Sequence, residues 1–205
     1  MRAPDDCGGF FYFTRMNITG IILAGGKSTR MKTEKGLVLY KEIPLIQYTI
    51  DVLEQVCDQI LISSNTNAYD HLGYDIIPDE IPEIGPVGGI YSSLSASDTA
   101  DNIILSCDTP FISVEYLHHL LQNRYHALVA VPWFGNNKYE PVSAYYHKEF
   151  ANRLYGFIQQ GNYKLPEIFK EIPVNKLILD HTLEFFHDKL FYNINTREDI
   201  QNLTQ

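Results

Sequence analysis

Between Ile18 and Lys35 the chain reads ITGIILAGGKSTRMKTEK, and no other stretch limits its fold as much. Ile18 to Leu23 is an apolar run of the length of one buried strand. It stops at Ala24-Gly25-Gly26, where almost no side chain separates the backbone from a guest. Lys27, Arg30 and Lys35 follow. Glycine allows close approach to the main chain, and several N–H groups can then point at one ligand. The cations balance negative charge. A strand that ends this way suits a nucleoside polyphosphate.

Two common phosphate motifs are excluded. A P-loop needs a glycine five positions before its Gly-Lys pair, and here that position is Ile21. The G-x-G-x-x-G fingerprint is also absent. Taken alone, Gly25-Gly26 also fits an ordinary tight turn after a strand.

Downstream, strands alternate with helical stretches. Pro44 opens an expected helix with apolar positions from Leu45 to Val56. Strands are expected at Gln59–Ser63, Tyr74–Ile77, Asn102–Ser106 and Ala127–Trp133. A helix is expected from Gly88-Gly89 through Ser97, others over Ser113–Asn123 and Lys148–Gln160. Tyr139–Tyr145 alternates and reads as a further, antiparallel strand; Phe191–Asn195 reads as a last strand entering a helix at Thr196. This order implies βαβ units and a mainly parallel sheet, whose ligands bind at the carboxyl ends of strands. Three such ends carry polar residues: Ser63-Ser64-Asn65, Pro78-Asp79 and Cys107-Asp108-Thr109. A carboxylate at the end of a central strand beside a phosphate turn suits a divalent metal, because Mg²⁺ is held by one or two carboxylates with phosphates and water. Asp108 fits that description, and Asp79 is a second carboxylate at such a strand end. Turn or helix caps are the plain alternatives for both.

Composition narrows the class. The 205 residues suit one sizeable domain, and a net charge of −9 excludes a broad nucleic-acid surface. No apolar run approaches the roughly 20 residues that span a bilayer. Cys7, Cys57 and Cys107 form no close-spaced pair, which points to a reduced, cytoplasmic protein. His118 and His119 are adjacent on an expected helix and cannot both face one ligand, and the other histidines are scattered, so no histidine metal site is suggested. Residues 1–15 lack any amphipathic period and read as an extension or an upstream start, with the domain over 16–205.

The wider pattern resembles a known family. Leu23-Ala24-Gly25-Gly26, then Arg30-Met31, then Lys35, is similar to the signature of the molybdenum cofactor guanylyltransferases among the nucleotidyltransferases. Asp79 with Gly85-Pro86-Val87-Gly88-Gly89, Cys107-Asp108-Thr109-Pro110, the segment Tyr139–Tyr145, in which Glu140 stands where family members vary, and Asn193-Ile194-Asn195-Thr196 resemble its further motifs in the same order. The chain departs from the pattern at Lys32, Glu34, Ser63 and Arg197. The resemblance implies a Rossmann-like three-layer α/β/α fold with an antiparallel strand in the sheet. It implies GMP transfer from GTP to molybdopterin with Mg²⁺. Leu23, Ala24, Gly25, Gly26, Lys35, Asp79 and Asp108 would bind GTP; Arg30, Lys35 and Asp108 would be catalytic, with Asp108 on the metal. Lys164, Asn193 and Asn195 would meet the acceptor. No nucleic acid or membrane is implied, and contacts with other cofactor-biosynthesis or acceptor proteins would be transient. A cytidylyltransferase, a sugar-phosphate nucleotidyltransferase and a non-catalytic nucleotide-binding protein are the alternatives.

Overall fold

A computed structural model describes residues 17–25, 34–134 and 138–204. The expected extension over 1–15, together with Gly26 and Arg30, lies outside those residues.

The elements run in the order β1 (Ile18–Leu23), β2 (Leu39–Tyr40), β3 (Ile43–Pro44), α1 (Leu45–Leu53), β4 (Gln59–Ser63), β5 (Asp75–Ile77) and α2 (Pro86–Ala96). Then come β6 (Asp101–Ser106), α3 (Val114–Gln122), β7 (Val129–Trp133), β8 (Ser143–His147), α4 (Phe150–Gln159), α5 (Leu165–Glu171), β9 (Asn175–Ile178) and α6 (Arg197–Thr204). Seven strands form one sheet in the order β5-β4-β1-β6-β8-β7-β9, and β2 pairs with β3 in a small hairpin. Every neighbour in the large sheet is parallel except β8, which runs antiparallel to both β6 and β7. The expected mainly parallel sheet with one antiparallel strand is therefore present. One edge of this sheet collects the carboxyl ends of β5, β4, β1, β6 and β7 with the amino end of β8.

Both faces of the sheet are covered, so its central strands are apolar on both sides. Ile18 and Ile22 of β1 and Ile103 and Leu105 of β6 face α1 and α3, whereas Ile21, Leu23 and Ile104 face α2 and α4. Gly20 lets α1 close in: a Cβ there would meet both Leu53 methyls at 3.0 Å. No side chain caps α1, a loss of about 1 kcal/mol. Burying Ile46, Ile50 and Leu53 outweighs it, at roughly 1.5–3 kcal/mol each.

Four expectations are corrected. Pro44 ends β3 and precedes α1, which stops at Leu53. The strand expected at Tyr139–Tyr145 begins only at Ser143, because Pro141 has no N–H for the ladder; Tyr139 makes an isolated bridge to Trp133. Phe191–Asn195 is no strand: Ile194 packs instead with Tyr40 and Leu45, and its N–H donates to the Asp108 carbonyl at 3.0 Å. Gly88 and Gly89 sit in the first turn of α2, which starts at Pro86.

Candidate active site

Three residues far apart in sequence meet at the middle of this edge. Lys35 opens a single 3-10 turn after the β1 loop, Asp108 follows β6, and Asn195 precedes α6. The Lys35 Nζ donates to Asp108 Oδ2 and, at 2.6 Å, to Asn195 Oδ1. The side chain of Asp108 is only 5% exposed, and its other oxygen accepts from the Ser106 hydroxyl. Asp108 is not the cap of α3, since Ser113 fills that role by accepting from the Tyr116 N–H at 3.2 Å. The ammonium thus stands as a cation between a carboxylate and an amide oxygen. Hard oxygen donors of this kind suit a divalent ion that brings phosphate and water ligands of its own. Among the described residues no group of three His, Cys, Asp or Glu could hold a metal alone.

To one side lies the β1 turn. Leu23 and Ala24 are buried; the Ala24 N–H donates to the Ser63 carbonyl at 3.0 Å. The Ala24 carbonyl lies 3.5 Å from the hydroxyl of buried Tyr69, so Gly25 is the first residue of the turn open to a ligand. Among the described residues a Cβ on Gly25 would meet only the Ser63 carbonyl, at 3.8 Å, an ordinary contact. Asn65 grips Asp79 twice, taking its N–H at 2.7 Å and donating to Oδ2 at 2.9 Å. Oδ1 of Asp79 has no hydrogen-bond partner among the described residues. The glycines of α2 serve packing: a Cβ would meet the Ile81 carbonyl at 2.9 Å from Gly88 and the Ser63 hydroxyl at 2.5 Å from Gly89. The Gly88 N–H is spent on the Gly85 carbonyl at 3.1 Å and so does not point outward at a ligand.

To the other side opens a cavity of about 600 Å³ lined by Glu140, Asn193, Asn195 and Asp199, with Phe134, Phe186 and Phe191 among its walls. The structure thus brings the two expected asparagines to one cavity. Burial pushes the Glu140 carboxyl above the usual carboxylate range, and the charge of Asp108 adds to the shift. Lys164 is not part of this cavity; it is exposed at the start of α5. Cys107 is buried, which pushes its thiol up to about 12 and makes it inert, as expected of a packed residue. Sequence reasoning passed over Tyr69, and it placed Glu140 in a family-like segment without giving it a role.

The chain was compared with known proteins. The family model described as a MobA-like NTP transferase domain matches residues 20–175. A Flavobacterium johnsoniae protein named "Probable molybdenum cofactor guanylyltransferase" is 34% identical over 91% of this chain and 96% of its own. Among solved structures, molybdopterin-guanine dinucleotide biosynthesis protein A of Archaeoglobus fulgidus aligns with a TM-score of 0.76 at 22% identity, over 90% of this chain and 95% of that one. Rv0371C of Mycobacterium tuberculosis, solved in complex with manganese, aligns with a TM-score of 0.64 at 17% identity, over 92% of this chain and 98% of that one.

Proposed function

The chain belongs to the MobA-like NTP transferase family, and on that premise we propose that it transfers GMP from GTP to molybdopterin. An oxygen of the acceptor's terminal phosphate attacks the α-phosphorus of GTP in line. The new bond is a phosphoanhydride; the α–β bridge breaks and pyrophosphate leaves. The observation that carries this reading is the meeting of Lys35, Asp108 and Asn195 between the two flanking sites.

No side-chain nucleophile is needed, because this chemistry asks for positioning and charge neutralisation. Lys35 supplies a cation where the phosphates gather, and Arg30 is the second cation assigned here. Asp108, with Asn195 beside it, would hold the divalent ion, Mg²⁺ in this reading. When bound, that ion neutralises phosphate charge. Gly25 leaves room for a purine, and Asp79 Oδ1 accepts the donor edge of guanine while Asn65 fixes its partner oxygen. The residues from 16 to 205 form the catalytic domain, and the location is the cytoplasm. No helix among the described residues is long and apolar enough to cross a membrane.

The test is product formation from molybdopterin with Mg²⁺ and each of GTP, CTP and ATP. GTP should give the highest kcat/KM, and Asp79→Ala should lower the GTP value while barely changing the CTP value. Asp108→Ala should abolish transfer with the fold intact. Equal use of GTP and ATP by the unaltered protein would overturn the assignment.

A further inference from the structure

We propose that Glu140 recognises the pterin of the acceptor, accepting the two adjacent N–H donors of its 2-amino-4-oxopyrimidine edge. The inference rests on the reading above and names the contact that selects its second substrate.

Three observations on Glu140 converge. Glu140 lines a cavity whose size, about 600 Å³, is that of a small-ligand site. Its backbone is fixed from both sides: its N–H donates to the Pro132 carbonyl at 3.4 Å, and its carbonyl accepts from the Ser143 N–H at 3.2 Å. Its carboxylate nevertheless has no hydrogen-bond partner among the described residues. A part-buried carboxylate left without donors is costly, and a ligand edge with two donors removes that cost.

The walls suit a flat heterocycle. Phe134 and Phe191 stand edge to face with centroids 5.3 Å apart, and Phe186 lies 6.3 Å from Phe134. Charge decides which end of the acceptor sits here. The phosphate of the acceptor is repelled by Glu140 and drawn to Lys35, which Asn195 links to the same cavity. The pterin therefore falls at the aromatic end.

The symmetry of the product supports the same placement. Guanine and pterin carry the same 2-amino-4-oxopyrimidine ring. The sheet sets one carboxylate on each side of Asp108, Asp79 after β5 and Glu140 before β8. Each carboxylate can read one half of a dinucleotide whose two halves present the same donors.

The test uses the full chain and two phosphorylated probes. These are 6-hydroxymethylpterin and its lumazine counterpart, in which an oxo group replaces the 2-amino group. Affinity is read from pterin fluorescence for the unaltered protein and for Glu140→Gln and Glu140→Ala. The unaltered protein should bind the pterin about tenfold to a hundredfold more tightly than the lumazine. Glu140→Gln should bring that ratio close to one while the KM for GTP stays within twofold. Equal affinity for both probes in the unaltered protein overturns the proposal, as does a ratio that survives Glu140→Gln. A raised GTP KM in place of the lost ratio also overturns it, since the cavity would then hold the guanine. GMP transfer to molybdopterin is measured separately. Discrimination without transfer would defeat the proposed reaction and leave the Glu140 contact standing; transfer without discrimination would do the reverse.

Discussion

Removing the ammonium of Lys35 would leave Asp108, 5% exposed at its side chain, with a charge and no cation beside it among the described residues. Two effects should follow from Lys35→Ala. A charge-assisted contact is worth about 1.5–3 kcal/mol, so GMP transfer should fall by roughly tenfold to over a hundredfold. The protein should also lose stability, because an uncompensated buried charge costs more than a missing surface pair. Melting temperatures separate the two effects. Adding Asp108→Asn should restore stability to Lys35→Ala without restoring activity. A Lys35→Ala protein with unchanged melting temperature and rate would mark Lys35 as an ordinary solvated lysine.

At the scale of elements, α6 fixes the geometry of the site through its cap. Asp199 Oδ2 accepts from the N–H groups of Asn195 and Thr196, both at 2.8 Å, and the Thr196 hydroxyl accepts from the Asp199 N–H at 3.1 Å. This is the reciprocal capping that the Thr196–Asp199 spacing leads one to expect. The Asn195 N–H is the leading cause of a lowered Asp199 carboxyl. A carboxyl lowered by folding stabilises the folded chain above its unfolded pKa, and that support is lost as pH falls through the lowered value. Asp199→Ala should cost about 0.5–2 kcal/mol at pH 7 and much less in acid. Amide exchange at Asn195 and Thr196 should speed up in the variant, and transfer should weaken because Asn195 no longer holds its bearing on Lys35. The contrast between α6 and its neighbours shows how much was legible in the sequence. Local signals marked the cap, and long apolar runs marked β1, β4 and β6. In contrast, α5 and β9 are short and half polar, and β9 is an edge strand with Ile178 exposed, so no periodicity announced them. The Asn193–Asn195 segment alternates like a strand, yet Ile194 docks into a side cluster and the ladder never forms. Asp79 and Asp108 could be read from strand ends. The Asn65 grip and the Tyr69 support could not, because both depend on contacts between distant segments.

Across the whole molecule, the resting site carries a counter-ion of its own. The ammonium of Lys35 already contacts Asp108 and Asn195, so if Asp108 holds the divalent ion as proposed, a bare ion must first displace a covalently tethered competitor. Triphosphate changes the competition, because its oxygens offer the lysine a better anionic partner and release the carboxylate. Occupancy by ion and by nucleotide is then thermodynamically coupled, each raising the affinity of the other by the same factor. In calorimetry, Mn²⁺ or Mg²⁺ alone should bind the free protein feebly, and far more tightly when GTP is present. Lys35→Ala should tighten binding of the ion alone, while the phosphate oxygens of GTP, which are ligands in their own right, still tighten it further. On the proposed assignment the tethered amine imposes an order on assembly: a phosphate-laden guest unlocks the carboxylate, which free cations alone reach only feebly.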